Sequence, residues 1–406
     1  MRNILHSDQF GTPKKISQIK IRQKTLIIFG LFAFLLSLAD ALPAYIRSSY
    51  MESFVGVSAV SWFYIAANFV SIAAILIFPK IIKRLSNYLS AGIIILIFIF
   101  SLLGLSFSSS TLSVFLFFII MQMASYLLWI NLDIFLESAS DNETTGQTRT
   151  IYLTFMNLAW VLAPAISAWL VETKGYEITF FASALIMIPF LIIYLLTRQK
   201  LKNTAVDIQQ TSLKVALKET AKNKNLLAIF VAAGQLTVFL NAAVVFLPIY
   251  LNQNLGFSWS ELSIVFSIML IPFLLVEIPA GILADKYIGE KELLTLGFLI
   301  IITCLAIFFM STSRNIWFWA TILFISRIGA ALIEAMKESY FFKNVDAHDI
   351  EKINIFRIAP PLGYLVASFI SLIVLLYLPL EYIFIITALF ICLFTFPALI
   401  GMKDSL

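Results

Sequence analysis

Histidine, cysteine and charge are all scarce in this chain: it holds two histidines, two cysteines and only 13% charged residues in 406. His6 and His348 lie outside the apolar runs. No imidazole is therefore available within those runs to relay a proton, hold a metal or act as a base. Cys304 and Cys392 sit in separate apolar runs, so no disulfide framework and no CxxC site is readable. Ser/His/Asp, Cys/His and zinc constellations have almost no material, and no cofactor or metal is expected. An enzyme in this chain would need an unusual acid-only site. No GxxxxGK[ST] run occurs, so ATP is not expected to drive it directly.

What the chain has in excess is apolar side chains. They make up 61% of it, with 38 Phe and a mean hydropathy of +0.95, where a globular protein has roughly 45–50% apolar and about 25% charged residues. An integral membrane protein is implied. About 20 apolar residues cross a bilayer as a helix, and twelve runs qualify: 25–46, 55–79, 88–108, 111–137, 150–171, 178–197, 225–250, 262–283, 292–311, 315–338, 353–378 and 381–402. None shows the alternation of a barrel strand. The expected fold class is all-α and polytopic, with twelve transmembrane helices. The first run is longer than the roughly 7–15-residue core of a signal peptide, so it reads as an uncleaved first span.

Basic residues set the orientation. With the N-terminus inside, 23 of the 28 Lys and Arg fall in inside segments. Only Arg47, Lys174 and Arg314 fall in outside loops, and Arg327 and Arg357 fall within spans. Both termini are expected in the cytoplasm and the chain in the cell membrane. The formal charge of +5 follows from this asymmetry and needs no nucleic-acid partner. The longest polar stretch, 198–224, divides the spans six and six. The expected organisation is an N-terminal segment 1–24, a six-helix bundle 25–197, a cytoplasmic linker 198–224, a second bundle 225–402 and a tail 403–406. Within the linker, TSLKVALKETAK sets Leu213 and Leu217 one turn apart among lysines. That stretch is either a short helix on the anionic inner leaflet or a solvated tether.

The two halves repeat each other. LPAYI (Leu42 to Ile46) returns as LPIYL (Leu247 to Leu251), and PKIIKR at Pro79 returns as GILADK at Gly281. DIFLES (Asp133 to Ser138) returns as EAMKES (Glu334 to Ser339). Asn157 and Pro164 return as Asn354 and Pro361. Each half has an even number of spans, so the repeats are parallel, related by an axis along the membrane normal.

Twelve spans in a six-plus-six repeat with a cytoplasmic linker resemble the major facilitator superfamily. GILADKYIGEK (Gly281 to Lys291) resembles that family's loop signature, with Gly281, Asp285, Lys286, Gly289 and Lys291 at motif positions. It carries one extra residue before Gly289, and Glu290 where a base is usual. The first-half copy has Pro79 for the glycine and Lys83 for the aspartate. AWVLAPAISA (Ala159 to Ala168) resembles the family's antiporter signature, with Ala or Ser at every glycine and Pro164 kept. The resemblance implies that spans one, four, seven and ten line a central cavity. It also implies that each signature's acid meets the start of the fifth span of the opposite half. Asp285 would then face Arg149, while Lys83 and Arg84 would face Asp346, Asp349 and Glu351, a charge-reversed pair.

An ionisable residue inside a span costs at least ~2.5–3.5 kcal/mol. Arg327 lies about ten residues from the inner end of span ten, on the order of 15 Å deep. It would either hold a substrate carboxylate or phosphate or pair within the protein. Glu334 and Glu338 follow on the same helical stripe. Asp40, before Pro43, is either a proton carrier, since desolvation disfavours an ionised carboxyl, or an acid hydrogen-bonded beside a proline kink. Glu277 either titrates or pairs with Arg357 at a similar depth. Asp133 and Glu334 are the deeper members of two symmetric acid pairs and remain open for substrate or protons. Glu137 and Glu338, nearer the interface, read as gate scaffolding held by Lys80, Arg84, Lys286 or Lys291. Tyr126, Trp129, Asn131, Gln235 and Asn241 are polar or aromatic handles on cavity spans.

The expected function is secondary transport of a small organic solute by a monomer in the lipid bilayer, with proton-coupled efflux first. Import of a metabolite or organic anion held by Arg327 stands second. A non-transporting receptor or scaffold with the same fold is the rival from another class. If the two loop pairs close the cytoplasmic side, reversing Lys83 and Arg84 to Glu raises labelling of cysteines placed on that side. Unchanged labelling would remove the loop pairs from the gate.

Overall fold

The computed structural model describes residues 13–139, 145–202, 218, 220–345 and 350–403; among them the chain is helical, with no strand. Eleven helices are long and apolar enough to cross a membrane. A shorter apolar helix, Ile27–Ala41, completes the expected twelve as span one. Spans two to six are the helices Val57–Leu85, Asn87–Ser106, Thr111–Ala139, Thr145–Lys174 and Glu177–Leu196. Spans nine to twelve are Glu290–Met310, Ile316–Asn344, Ile350–Tyr377 and Tyr382–Ile400.

Span one does not end where its apolar run ends. The helix Pro13–Ala41 gives way to turns over residues 42–46 and resumes as Arg47–Val55. Pro43 has no N–H to donate and its ring crowds the preceding turn. The helix therefore restarts, with the Arg47 N–H bonding to the Pro43 carbonyl at 2.8 Å. It stops at Gly56, whose φ of +75° a side chain would strain. This corrects the placement of Arg47 in an outside loop. Arg47 lies inside the protein with only 7% of its surface exposed, and the four residues after it are buried too. Polar RSSYMES looked like a loop because its burial comes from packing between helices, not from lipid.

Span seven breaks at the matching place by different means. The helix Lys224–Leu240 loosens into wider π-helical turns at Asn241–Phe246 and again at Tyr250–Asn254, on either side of Leu247–Ile249 with its Pro248. The wider turns absorb the missing proline donor without a full interruption. Span eight is similarly divided, as Trp259–Leu275 and Glu277–Leu283, followed by π-helical Ala284–Ile288.

Packing repeats with the sequence. In the first half, span one packs on five and six, two on four, and three on four and six. The second half does the same: seven on eleven and twelve, eight on ten, nine on ten and twelve. The halves meet through five against eight and two against eleven. At the end of the bundle remote from the chain termini, the broken segment of span one also touches that of span seven. Spans four and ten do not pack closely on each other. The result is two six-helix bundles facing each other across a polar centre.

Close crossings depend on small residues. A Cβ on Gly329 of span ten would stand 2.7 Å from the Gly297 carbonyl oxygen of span nine. On Gly363 of span eleven it would collide with Thr237 Oγ1 and the Gly234 carbonyl of span seven. By contrast, Gly281 of the loop signature has open space around the same position. Gly363→Val should therefore destabilise by at least the ~1–3 kcal/mol of an overpacked core, read as a lowered thermal midpoint in detergent. Gly281→Ala should leave that midpoint unchanged or raise it. Equal effects at the two sites would refute the crossing.

Candidate functional site

At the centre, span ten delivers Arg327 into the space between the bundles. The side chain is 0% exposed. None of its Nε, Nη1 and Nη2 atoms makes a well-formed hydrogen bond and no ion pair to it occurs among the described residues; the Tyr45 hydroxyl is the group within hydrogen-bonding reach. Its guanidinium lies over the Phe239 ring of span seven, 5.3 Å from the centroid. The hydroxyls of Tyr45 and Tyr364 are within electrostatic reach, but a neutral phenol does not balance a charge. One turn before Phe239 on span seven, Gln235 is buried with its Oε1 unpartnered. Further along the same span, Asn241 Nδ2 donates to Ser368 Oγ at 3.2 Å while its Oδ1 is unpartnered. A buried guanidinium without a counter-charge costs on the order of several kcal/mol.

The first bundle brings its own polar groups to this centre. Ser125 Oγ of span four donates to Asp40 Oδ2 at 3.0 Å, so Asp40 is hydrogen-bonded beside the proline break. The Tyr126 hydroxyl donates to Asn68 Oδ1 at 3.4 Å. Arg47 lies over the Tyr64 ring at 5.8 Å, its Nε unpartnered. Its charge is felt by Asp40 of its own span, Tyr64 of span two and Tyr364 of span eleven. Tyr45 stacks on Phe266 of span eight with ring centroids 5.0 Å apart. Asn131, by contrast, is a packing residue: it bonds to Leu127 of its own turn and receives Asn87 and Ser90 of span three. Trp129 meets Tyr152 edge-on.

Closer to the termini, the charges are paired. Arg357 of span eleven reaches Asp133 of span four at 3.3 Å and Glu338 of span ten at 3.0 Å. Lys337, 5% exposed, pairs with Glu334 at 2.9 Å and Glu338 at 3.6 Å and lies over the Phe356 ring. Two expectations are corrected here. Glu277 is not the partner of Arg357; it accepts from Asn157 Nδ2 of span five at 3.3 Å. Glu338 is held by Arg357 and Lys337 rather than by Lys80, Arg84, Lys286 or Lys291. The reason is reach: span eleven lies closer to the deep acids than the loop bases do. The Arg357–Asp133 pair joins the two bundles, as does the Asn157–Glu277 bond.

In the loop signature, Gly289 has a φ of +89°, which explains a glycine there. Glu290, where the family has a base, is fully buried and binds Lys343 at 2.5 Å and Ser339 Oγ at 3.3 Å, both on span ten. Lys291 Nζ donates to the Met402 carbonyl at 2.9 Å. Lys286, Lys83 and Arg84 are exposed. The side chains of Glu137, Arg149, Asp285, Asp346, Asp349 and Glu351 lie outside the described residues, so the expected loop pairs do too.

The remote end is sealed by contacts between bundles. Gln253 donates to Glu52, the Trp259 Nε1–H to the Tyr176 hydroxyl at 3.1 Å, and the Ser260 N–H to Glu172 Oε1 at 2.6 Å. With bridges above and below, the arginine centre is enclosed. Sequence reasoning found Arg327 and Asp40 but missed Arg47, Tyr45, Tyr64 and Tyr364. The signal for Arg47 was available: it directly follows the repeated LPAYI segment.

Comparison with known proteins places this geometry. Among curated proteins, none matches the chain. Solved structures do match in fold. A crystal structure of a mutant of the nucleoside transporter NupG is 17% identical, with a TM-score of 0.72 over 94% of this chain and 100% of that one. Two crystal structures of a POT family transporter are each 13% identical over 93% of this chain and 96% of theirs. The one in complex with a thioalcohol-conjugated peptide has a TM-score of 0.73, and the one with 5-aminolevulinic acid 0.74. The family model of the Major Facilitator Superfamily matches residues 25–353. That match covers most of the chain, and the paired bundles carry the same architecture: the chain belongs to the Major Facilitator Superfamily.

Proposed function

We propose that this secondary transporter carries a small organic acid across the cell membrane, with the acid group anchored on Arg327. The observation that carries the reading is a fully buried guanidinium with no acid paired to it among the described residues. A neutral or cationic solute would leave that charge uncompensated. A carboxylate or phosphate would satisfy it with paired, charge-assisted hydrogen bonds. Two bundles, 25–197 and 225–402, rocking about a central site give alternating access, with 198–224 as the tether between them. The bias of Lys and Arg supports cytoplasmic termini; with Arg47 moved inside the protein, that bias is sharper. The chain acts as a monomer, since each copy contains a complete site.

Coupling follows from charge. In an inside-negative cell an anion is driven outward by about 2.3 kcal/mol per charge per 100 mV, so its accumulation against that potential requires a co-transported cation. Asp40 shares the polar centre with Arg47 and Ser125 and is the group we assign to carry a proton. Proton-coupled uptake of an acid is therefore favoured over efflux of a neutral solute.

Arg327→Gln should weaken binding of the best acid by at least ~30-fold, the lower edge of the roughly 2–5 kcal/mol for a buried charge pair. Ligand-dependent thermal shifts on purified protein read this directly. Binding that survives the substitution, or preference for neutral solutes, would sink the reading. In proteoliposomes of known orientation, Asp40→Asn should abolish accumulation driven by a proton gradient while leaving exchange of labelled for unlabelled acid. Gradient-driven accumulation at wild-type levels would remove Asp40 from coupling.

A further inference from the structure

We propose that Arg47 is the second half of the anion site, so that the preferred substrate is an acid with two anionic ends, held between one guanidinium from each bundle. This rests on the assignment of Arg327 to the first acid group.

Four observations carry it. First, Arg47 is more than nine-tenths buried and has an unpartnered Nε, as Arg327 has. Second, nothing neutralises it. Asp40 is the carboxylate whose charge it feels, but the two form no ion pair, and Asp40 accepts from Ser125 instead. Third, its surroundings are rich in unsatisfied polar groups. The hydroxyls of Ser48, Ser49 and Ser61 are buried without hydrogen bonds, and the Tyr64 hydroxyl has only Arg47 within hydrogen-bonding reach. Buried polar groups are normally satisfied, so these hydroxyls and the unpaired cation leave hydrogen-bonding capacity that an oxygen-rich ligand would take up. Fourth, the two arginines belong to one centre. Tyr364 of span eleven is within electrostatic reach of both.

The local fold explains why Arg47 is there at all. The Pro43 break ends one helical segment and starts another whose first residue is Arg47. A continuous helix would carry it on without the kink. The break therefore aims a first-bundle guanidinium inward. Charge also fits a two-ended acid. The centre brings two guanidiniums, Arg47 and Arg327, and one carboxylate, Asp40, an excess of positive charge that a dianion offsets better than a monoanion. The groups facing Asp40 are Arg47 on its own span and Ser125 and Tyr126 on span four; Tyr64 and Tyr364 face Arg47.

The test is a series of straight-chain dicarboxylates, each beside the monocarboxylate of equal length, scored by thermal shift on the full-length protein and converted to affinities. At least one dicarboxylate should bind ~10-fold more tightly than its partner. Arg47→Gln should weaken the dicarboxylate at least ~10-fold and by a larger factor than the monocarboxylate, so that the preference between the two is lost. Arg327→Gln should weaken both. Should Arg47→Gln lower the ligand-free midpoint too far to be scored, Arg47→Lys takes its place and should cut the preference at least ~3-fold; an unchanged preference overturns the proposal. Equal loss for both acid classes in Arg47→Gln assigns Arg47 to structure and also overturns it. If dicarboxylates show no advantage while monocarboxylates still require Arg327, this proposal fails and the proposed function stands. If no acid stabilises the protein, both fail.

Discussion

Arg327 holds a guanidinium between two helix bundles with the face of Phe239 and the Tyr45 hydroxyl against it and no carboxylate paired to it among the described residues. Such a charge destabilises the folded chain on the order of several kcal/mol, and packing elsewhere offsets it. The close crossings of spans nine with ten and seven with eleven, at Gly297–Gly329 and Gly234–Gly363, supply that rigidity. They also fix the helix that carries Arg327, so the cation cannot swing toward the acids nearer the termini. Glu334 is the nearest acid on its own stripe, two turns along, and is taken by Lys337 at 2.9 Å. The centre is kept positive because every neighbouring acid is already engaged.

Three buried or half-buried arginines show the same chemistry under different conditions. Arg357 meets Asp133 and Glu338 within 3.3 Å. Its charge is compensated, and because Asp133 belongs to the other bundle the contact joins the two. Arg327 has no acid, and Arg47 has one only at a distance. Compensated charge therefore lies where the bundles touch near the termini, and uncompensated charge lies at the centre. A contact of this kind is modest in energy, since half-exposed pairs are screened. A small bias is sufficient for two packings that differ by a few kcal/mol.

The helical class, the twelve spans and the internal repeat were legible in the sequence because lipid imposes length and apolarity on every span. The candidate site was legible only in part. Arg327 and Asp40 stood out because they interrupt apolar runs. Arg47 did not, because it lies beyond Pro43 in a polar stretch that hydropathy assigns to a loop, and only helix–helix packing buries it. The partner of Arg357 was misread for a related reason. Depth along a span is readable, but which faces of spans four, ten and eleven turn toward each other is not. The same limit concealed Glu290, a charge at the edge of a motif that proves to be a buried tie to Lys343 and Ser339.

The internal repeat sharpens what these charges mean. At its offsets, the acids nearer the termini correspond: Asp133 to Glu334 and Glu137 to Glu338. The central cations do not. Arg327 corresponds to Tyr126, Arg47 to Asn252, and Asp40 to Val245. Arg357 corresponds to Trp160. A duplicated fold keeps its helix breaks twice, Pro43 with Pro248 and Pro164 with Pro361, because each bundle must pack in the same way. It needs a substrate-binding charge only once, because the two bundles face one site from opposite sides. The positions where symmetry fails are therefore those where symmetry would harm function. A second acid opposite Arg327 would neutralise it, and a second Asp40 would cancel the excess positive charge of the centre. On this argument the one-sided charges at the centre, Arg327, Arg47 and Asp40, are the ones to test against solute and driving ion, whereas one-sided Arg357 serves the two-sided acids Asp133 and Glu338.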